Sequence, residues 1–446
     1  MKKNKSKKRK ITIETIQKLF CFASFIFLAT CTIWYGGRFI HFYLENEKEI
    51  EAIKNISSNN LTKVVTDNSK LKEINNEKYF YNDATNNYIK YSNLTWRIVK
   101  VDTENTLYLI TDNIITTLSN GNNDYITKWL NKEKENHTGI LENNLNNTNK
   151  YLINYNVCND QITDINNINC NTINKDNLIG LLSVIDYINT GGSDSFINNG
   201  KYTYLNNKNN NNQLWYINDE GKLGTSTIDN IYGIKPVIRL NNNVELISGT
   251  GTSTDPYIIE EEKTLFGSYV KLGNNTWRIY NVENDNIKLM LNDYLTENNT
   301  KKVYTTYSNN NYYHNDTIYN SLAYYLNKNF LNSLTYKDKI NSDNWSNYYY
   351  STDTNYNYQQ ILENTIDTFV SLPSIGDIIL NDNNLFNFYT NTGTNNQDNM
   401  VYTINKNGTL SKKSVTNYSY VIPCITINKN ILTKGNGTIN SPYEME

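Results

Sequence analysis

Tyr88 to Val101 reads YIKYSNLTWRIVKV and Tyr269 to Val282 reads YVKLGNNTWRIYNV, one pattern repeated at an offset of 181 without a gap. In the second copy, Tyr269 to Leu272, the turn-forming Gly273-Asn274-Asn275 and Thr276 to Val282 predict an antiparallel hairpin. A further polar turn, Glu283 to Asn286, leads to a third strand, Ile287 to Leu291. Two-residue alternation puts Trp96 and Ile98 on one face and Arg97 on the other, and likewise Trp277, Ile279 and Arg278. Both tryptophans are expected to anchor a core.

Outward from these strands, the register carries on to Asp112 and Asp293. LLSVIDYI (Leu181 to Ile188) then pairs with LPSIGDII (Leu372 to Ile379), and YINDEGKL (Tyr216 to Leu223) with TINKNGTL (Thr403 to Leu410). IYGIKPVIRL (Ile231 to Leu240) pairs with YSYVIPCITI (Tyr418 to Ile427), and SGTGTSTDPY (Ser248 to Tyr257) with KGNGTINSPY (Lys434 to Tyr443). Blocks in the same order at nearly constant offset predict a tandem of two homologous modules, residues 78–260 and 265–446, able to fold separately. The middle of each reads helical: Ser321-Leu322, Tyr325-Leu326 and Phe330 follow an i, i+4 rhythm, echoed by Tyr125-Ile126 and Trp129-Leu130. Asn131 aligns with Asn327. Pro236 and Pro423, each inside an apolar run, predict edge strands or bulges. The fold class is α+β, with antiparallel sheet in both modules.

WRIVKV, GIKPVIRL and SGTGTSTDPY resemble recurring blocks of uncharacterised tandem surface modules in low-GC Gram-positive bacteria and their wall-less relatives. The resemblance covers both modules and is better in the first; in the second, Tyr420 stands where the first has Gly233. It implies a surface location and carries no activity with it. The order of a Trp strand, a middle helix and a late Gly-x-x-Pro strand is also similar to C-type-lectin-like folds.

The N-terminus explains how such modules are held. Residues 1–18 form a basic tail beginning MKKNKSKKRK, and residues 19–37 carry no charge. Nineteen helical residues span about 28 Å, the thickness of a bilayer's hydrocarbon. The lysines hold that end in the cytoplasm, and Trp34-Tyr35 falls at the outer interface. A cleavable signal would need small residues after the apolar run, where CTIWYGGR offers none, and Leu28-Ala29-Thr30-Cys31 is a poor lipidation box. Residues 38–77 read as a helical stalk, Leu44 to Lys54, and a polar spacer. The expectation is a single-pass membrane protein, N-terminus inside and C-terminal bulk outside the cell, whose partners are the lipid bilayer through residues 19–37 and a cell-envelope polymer, a glycan or another surface protein.

The net charge of −2, with both signs interspersed beyond the N-terminus, excludes the basic face of a nucleic-acid binder. The Asn and Tyr excess is what AT-rich codons produce. Gly249-Thr250-Gly251-Thr252 lacks the third glycine of a dinucleotide loop and runs into Asp255-Pro256-Tyr257 instead of a helix. His41, His137 and His314 do not align between modules, and no cofactor or metal motif is present. Cys158 and Cys170, close in sequence and outside the cytoplasm, are a candidate disulfide. Arg97, Asp112 and Asp186, matched by Arg278, Asp293 and Asp377, are either structural ion pairs or a polar pocket repeated in each module. The functional expectation is a membrane-anchored surface protein presenting non-catalytic binding or structural modules. The alternative is an enzyme acting on envelope or surface glycans, which would need an acid and base pair among these aspartates.

Overall fold

The stretch around Trp96 folds as an antiparallel meander of Tyr88–Tyr91, Leu94–Val101 and Leu107–Thr111. Ser92 and Asn93 turn its first hairpin with positive φ at both residues, the backbone that a tight two-residue turn requires. The computed structural model describes Cys21 and residues 59–120, 124–132, 138–158, 160–166, 168, 170–227, 230–260, 264–297, 300–301, 303–304, 319, 321–349, 361–380, 387–393 and 399–445. The expected membrane segment, apart from Cys21, the stalk helix and all three histidines lie outside the described residues. Among those described, no helix is long and apolar enough to cross a membrane.

Residues 61–446 cluster as a single unit that is mostly β-sheet with short helices. The meander of the first half continues through Pro236–Leu240 to Ile179–Leu181. Its other side is closed by Tyr257–Ile258, which runs parallel to Tyr88–Tyr91. In the second half, Tyr269–Leu272, Asn275–Glu283 and Asn286–Leu291 form the meander, continued by Cys424–Asn428 and Val370–Ser371. There Tyr443–Met445 runs parallel to Tyr269–Leu272. A second sheet in the first half has the order Leu223–Ser226, Leu214–Ile217, Thr203–Lys208, Tyr232–Ile234, Thr116–Leu118. The same order, with the same parallel and antiparallel neighbours, recurs in Leu410–Ser414, Met400–Ile404, Phe388–Gly393, Ser419–Tyr420, Val303–Tyr304.

The aligned asparagines have one structural role. Asn131 accepts from Ile179 N–H at 2.9 Å and donates to Ile179 C=O at 2.9 Å, while Asn327 does both to Val370, also at 2.9 Å. A buried carboxamide thus stands in for a strand neighbour and satisfies backbone groups that would otherwise be unpaired.

Three expectations are corrected. Pro236 and Pro423 do not mark edges: Pro236 is the first residue of an interior strand and Pro423 immediately precedes one, positions where a missing N–H breaks no ladder. The spacer ends earlier than residue 77, because Leu61–Asn68 is helical with Leu61 and Val65 fully buried. Leu61, Val64 and Val65 fall on one helix face, a short stripe hidden in polar sequence. Finally, Asp112 does not match Asp293. Trp96 pairs with Thr111 but Trp277 pairs with Leu291, so the intervening turn is one residue shorter in the second half. Asp112 N–H donates to Thr95 C=O at 2.9 Å, and Asn292 N–H to Thr276 C=O at 2.9 Å, which makes Asn292 the structural counterpart.

The halves do not hang on a linker. One apolar cluster runs from Trp96 and Leu141 through Trp277 to Ile425. Asn93 Nδ2 donates to the carbonyls of Thr264 and Phe266 and to Ser268 Oγ at 2.9–3.0 Å. Trp129, fully buried, donates its indole N–H to Gly376 C=O at 2.8 Å, and Ile379 N–H donates to Ile115 C=O at 2.7 Å. Because this packing is shared, Trp129→Ala is expected to cost about 3–5 kcal/mol. The whole of 61–446 should then melt earlier in one transition, as calorimetry would record. Two separated transitions, with that of residues 265–446 unmoved, would mean that the halves are independent.

Candidate functional site

A cavity of about 610 Å³ opens where the halves meet, a size suited to a small ligand or a polymer segment. The first half contributes Lys90 and Thr95 from the meander, Thr111 at the end of the third strand, Asn113 to Thr117 just beyond it, and Lys201. The second half contributes Ser268, Tyr269 and Arg278 from its meander, Leu380, Ile404 and the Asn436 to Ile439 turn. Glu260 lies at the join.

Local chemistry fixes these groups. Lys90 Nζ donates to Thr95 Oγ1 at 2.5 Å. Glu260 accepts from Ser92 N–H at 2.5 Å and from Asn146 Nδ2 at 3.1 Å, which ties it to the first hairpin turn. The Arg278 guanidinium lies over the Tyr269 ring, 4.1 Å from its centroid, so its charge is held against an aromatic face at the wall. The hydroxyls of Thr111, Thr116 and Thr117 are buried without a hydrogen-bond partner among the described residues.

Behind the wall lies a buried cluster of charge. Arg97 donates to Asn87 Oδ1 at 2.7 Å, Tyr88 Oη at 3.0 Å, Ala84 C=O at 2.5 Å and Asp112 Oδ1 at 3.3 Å. Burial lowers its pKa against the opposing pull of Tyr88 and Asp112. Lys235, inside the apolar GIKPVIRL run, donates to Ile197 C=O at 3.1 Å. Burial brings its pKa down to about 7, with Asp112 opposing and Arg97 and Lys201 adding to the fall. Lys201 is likewise lowered by burial, with Asp112 opposing.

The six aspartates and arginines singled out in the sequence do not converge into one pocket per half. Arg97 and Asp112 pair with each other. Asp186 sits elsewhere, 2.8 Å from Lys100 Nζ, which is 2.9 Å from Glu77. Asp186 also accepts from Tyr79 Oη at 2.9 Å and from Ser183 Oγ at 2.7 Å. Burial opposes its charge, but Lys100, Ser183 and Tyr79 hold the Asp186 carboxyl below the usual range. Arg278 reaches the cavity. Asp293 is exposed and accepts from Tyr294 N–H at 2.7 Å. Asp377 accepts from Ser374 N–H at 2.8 Å. Cys158 and Cys170 are joined by a disulfide, with Cα atoms 5.7 Å apart, beside Asp160, whose carboxylate accepts from the N–H groups of Asn171 and Thr172. Lys201, Lys235 and Asn113 were invisible as site residues, although a lysine in an otherwise apolar strand run was a signal for Lys235.

No family model, curated protein or solved structure gives a significant match to this chain.

Asp377 is the second-half counterpart of Asp186, yet Asn281 occupies the position of Lys100. Burial accordingly raises its pKa to about 6, against the Ser374 N–H and Lys288, which lower it. A carboxyl raised above its unfolded value binds its proton more tightly when folded, so stability is lost as pH rises from about 4 to about 6. Asp377→Asn should therefore stabilise by on the order of 1 kcal/mol at pH 7.5 and by nothing at pH 4. Urea denaturation at the two pH values tests this, and an equal effect at both would refute it.

Proposed function

We propose that this chain is a membrane-anchored surface protein whose outer part is a duplicated, non-catalytic binding body, with the ligand seated in the cavity between the halves. The observation that carries the reading is that cavity itself, about 610 Å³ and walled by polar and aliphatic side chains from both halves over a shared core. A site that needs both copies gives a reason for the duplication to stay packed as one unit. The described carboxylate in its lining, Glu260, already accepts two hydrogen bonds that brace the hairpin turn, an arrangement that suits holding a ligand better than moving protons.

The anchoring reading is supported by the basic residues 1–18 and the uncharged residues 19–37. A disulfide at Cys158 and Cys170 accords with an oxidising compartment. The recurrence of strand order in two halves supports a tandem of homologous modules, and the blocks they share resemble bacterial surface modules.

Two measurements test the reading. Asn113 is exposed and lines the cavity, so Asn113→Trp should obstruct it without disturbing the core. The full-length chain in detergent should be retained on envelope material from its own cells, and Asn113→Trp should lower that retention at least tenfold at unchanged melting temperature. Equal retention of both proteins, or none of either, would refute a binding role for this cavity. Independently, protease added to intact cells should remove everything beyond about Arg38. A mature N-terminus near Thr32 or Gly37 would show that the segment is cleaved and the protein released.

A further inference from the structure

The cavity does not end at Lys201. A neighbouring hollow of about 660 Å³ is lined by Asn113, Asn199, Lys201, Asn405, Lys406 and Asn407, and it shares Asn113 and Lys201 with the first. Asn199 and Lys201 come from the first half, and Asn405 to Asn407 from the turn between Met400–Ile404 and Leu410–Ser414 of the second. The two walls are stitched together by Tyr202 N–H donating to Asn407 C=O at 2.8 Å. The hollows therefore form one groove along the seam, longer than any single small molecule needs.

Its polar groups include cations and carboxamides, beside aliphatic side chains such as Ile114, Ile379 and Leu380 in the larger cavity. Lys90 and Arg278 line the larger cavity, Lys201 both hollows and Lys406 the smaller one, where Asn113, Asn199, Asn405 and Asn407 add carboxamides. Among the described lining residues the carboxylate is Glu260, at one end and held by Ser92 and Asn146. Four cations shared between two contiguous hollows match a chain that carries more than one anion, and carboxamides, which both donate and accept, match hydroxyl groups. The lining has Tyr269 as its aromatic, which leaves little for stacking bases and argues against a single-stranded nucleic acid.

The geometry points to an anionic, hydroxyl-rich polymer as the ligand, lying along the seam with its anions at the four cations and its hydroxyls at the asparagines. This rests on the binding reading above and specifies its ligand class. Phosphodiester and carboxylate chains share the required chemistry.

The test uses the full-length chain in detergent and four probes of matched length: a poly(glycerol phosphate), a polyuronate, uncharged dextran and inorganic polyphosphate. At least one of the first two is expected to bind, more weakly as salt is raised, and the tighter of them identifies the anion. Lys406→Gln, at an exposed position, should weaken that binding about threefold, and Lys201→Gln with Lys406→Gln at least tenfold, at unchanged melting temperature for the single variant. Dextran and polyphosphate should bind at least tenfold more weakly. Dextran binding as tightly would overturn the anionic ligand while leaving a binding cavity standing. Polyphosphate binding as tightly, or indifference to Lys406→Gln, would reduce the effect to unspecific charge and overturn the inference. No binding of any probe, with envelope retention intact, would overturn the ligand class alone.

Discussion

Each half is closed by its last strand lying parallel to the first strand of its meander, and the junction between the halves depends on that closure. Tyr257 pairs with Ile89, and Tyr443 with Val270. A parallel partner cannot be reached by a tight hairpin, so the chain must traverse the whole half before closing it. The turn that delivers the closing strand is the Gly-x-Gly-Thr…Pro-Tyr block. Gly249 and Gly435 have φ of 98° and 85°, and a Cβ on either would fall onto the carbonyl oxygen of Pro256 or Pro442. Those glycines serve backbone approach, which is why a nucleotide-loop reading of the same letters fails.

Closure sets the seam. Once Tyr257–Ile258 lies beside Tyr88–Tyr91, Glu260 is delivered to the Ser92-Asn93 turn, and the chain emerges there into the second half. Asn93 then bonds Thr264, Phe266 and Ser268, so the second meander begins against the first one's hairpin turn. The cavity walls, Lys90 and Thr95 from one half and Ser268, Tyr269 and Arg278 from the other, are brought together as a consequence. The groove is thus a product of how one half ends and the next begins.

What could be read in the sequence was local. The Trp strands, the turns between them, the Gly and Pro positions and the middle helices each announce themselves within about ten residues by period or by turn chemistry. The Asp112 mismatch was not legible, because TDN and LND both offer an aspartate within one residue of the right place and only strand pairing reveals the shortened turn. The helix Leu61–Asn68 was hidden by its polarity, since three apolar residues make a stripe only when something packs on them. The groove was least legible of all. Lys90, Lys201, Arg278 and Lys406 come from four separate segments, and no local pattern ties them together before the halves dock.

The two halves solve the placement of their partly and fully buried charges differently. In the first half a cation on the second meander strand, Lys100, meets Asp186, and Arg239 on a neighbouring strand meets Asp102 at 2.7 Å and Glu104 at 2.7 Å. In the second half Asn281 stands for Lys100 and Thr426 for Arg239, and a half-buried cation sits on the adjacent strand as Lys288, 3.6 Å from Asp343. Backbone pairing and apolar packing tolerate such exchanges because a sheet position fixes where a side chain starts and not which charge it carries. Removing one member of a buried pair leaves the other uncompensated, at a cost of about 3–5 kcal/mol. Asp377, which keeps the place of Asp186 without a lysine at position 281, shows the consequence in a carboxyl raised to about 6. Where Asn292 stands for Asp112 the backbone bond is kept and the charge is dropped: Asn292 N–H donates to Thr276 C=O as Asp112 N–H donates to Thr95 C=O, so the fold holds its register whichever side chain the position carries.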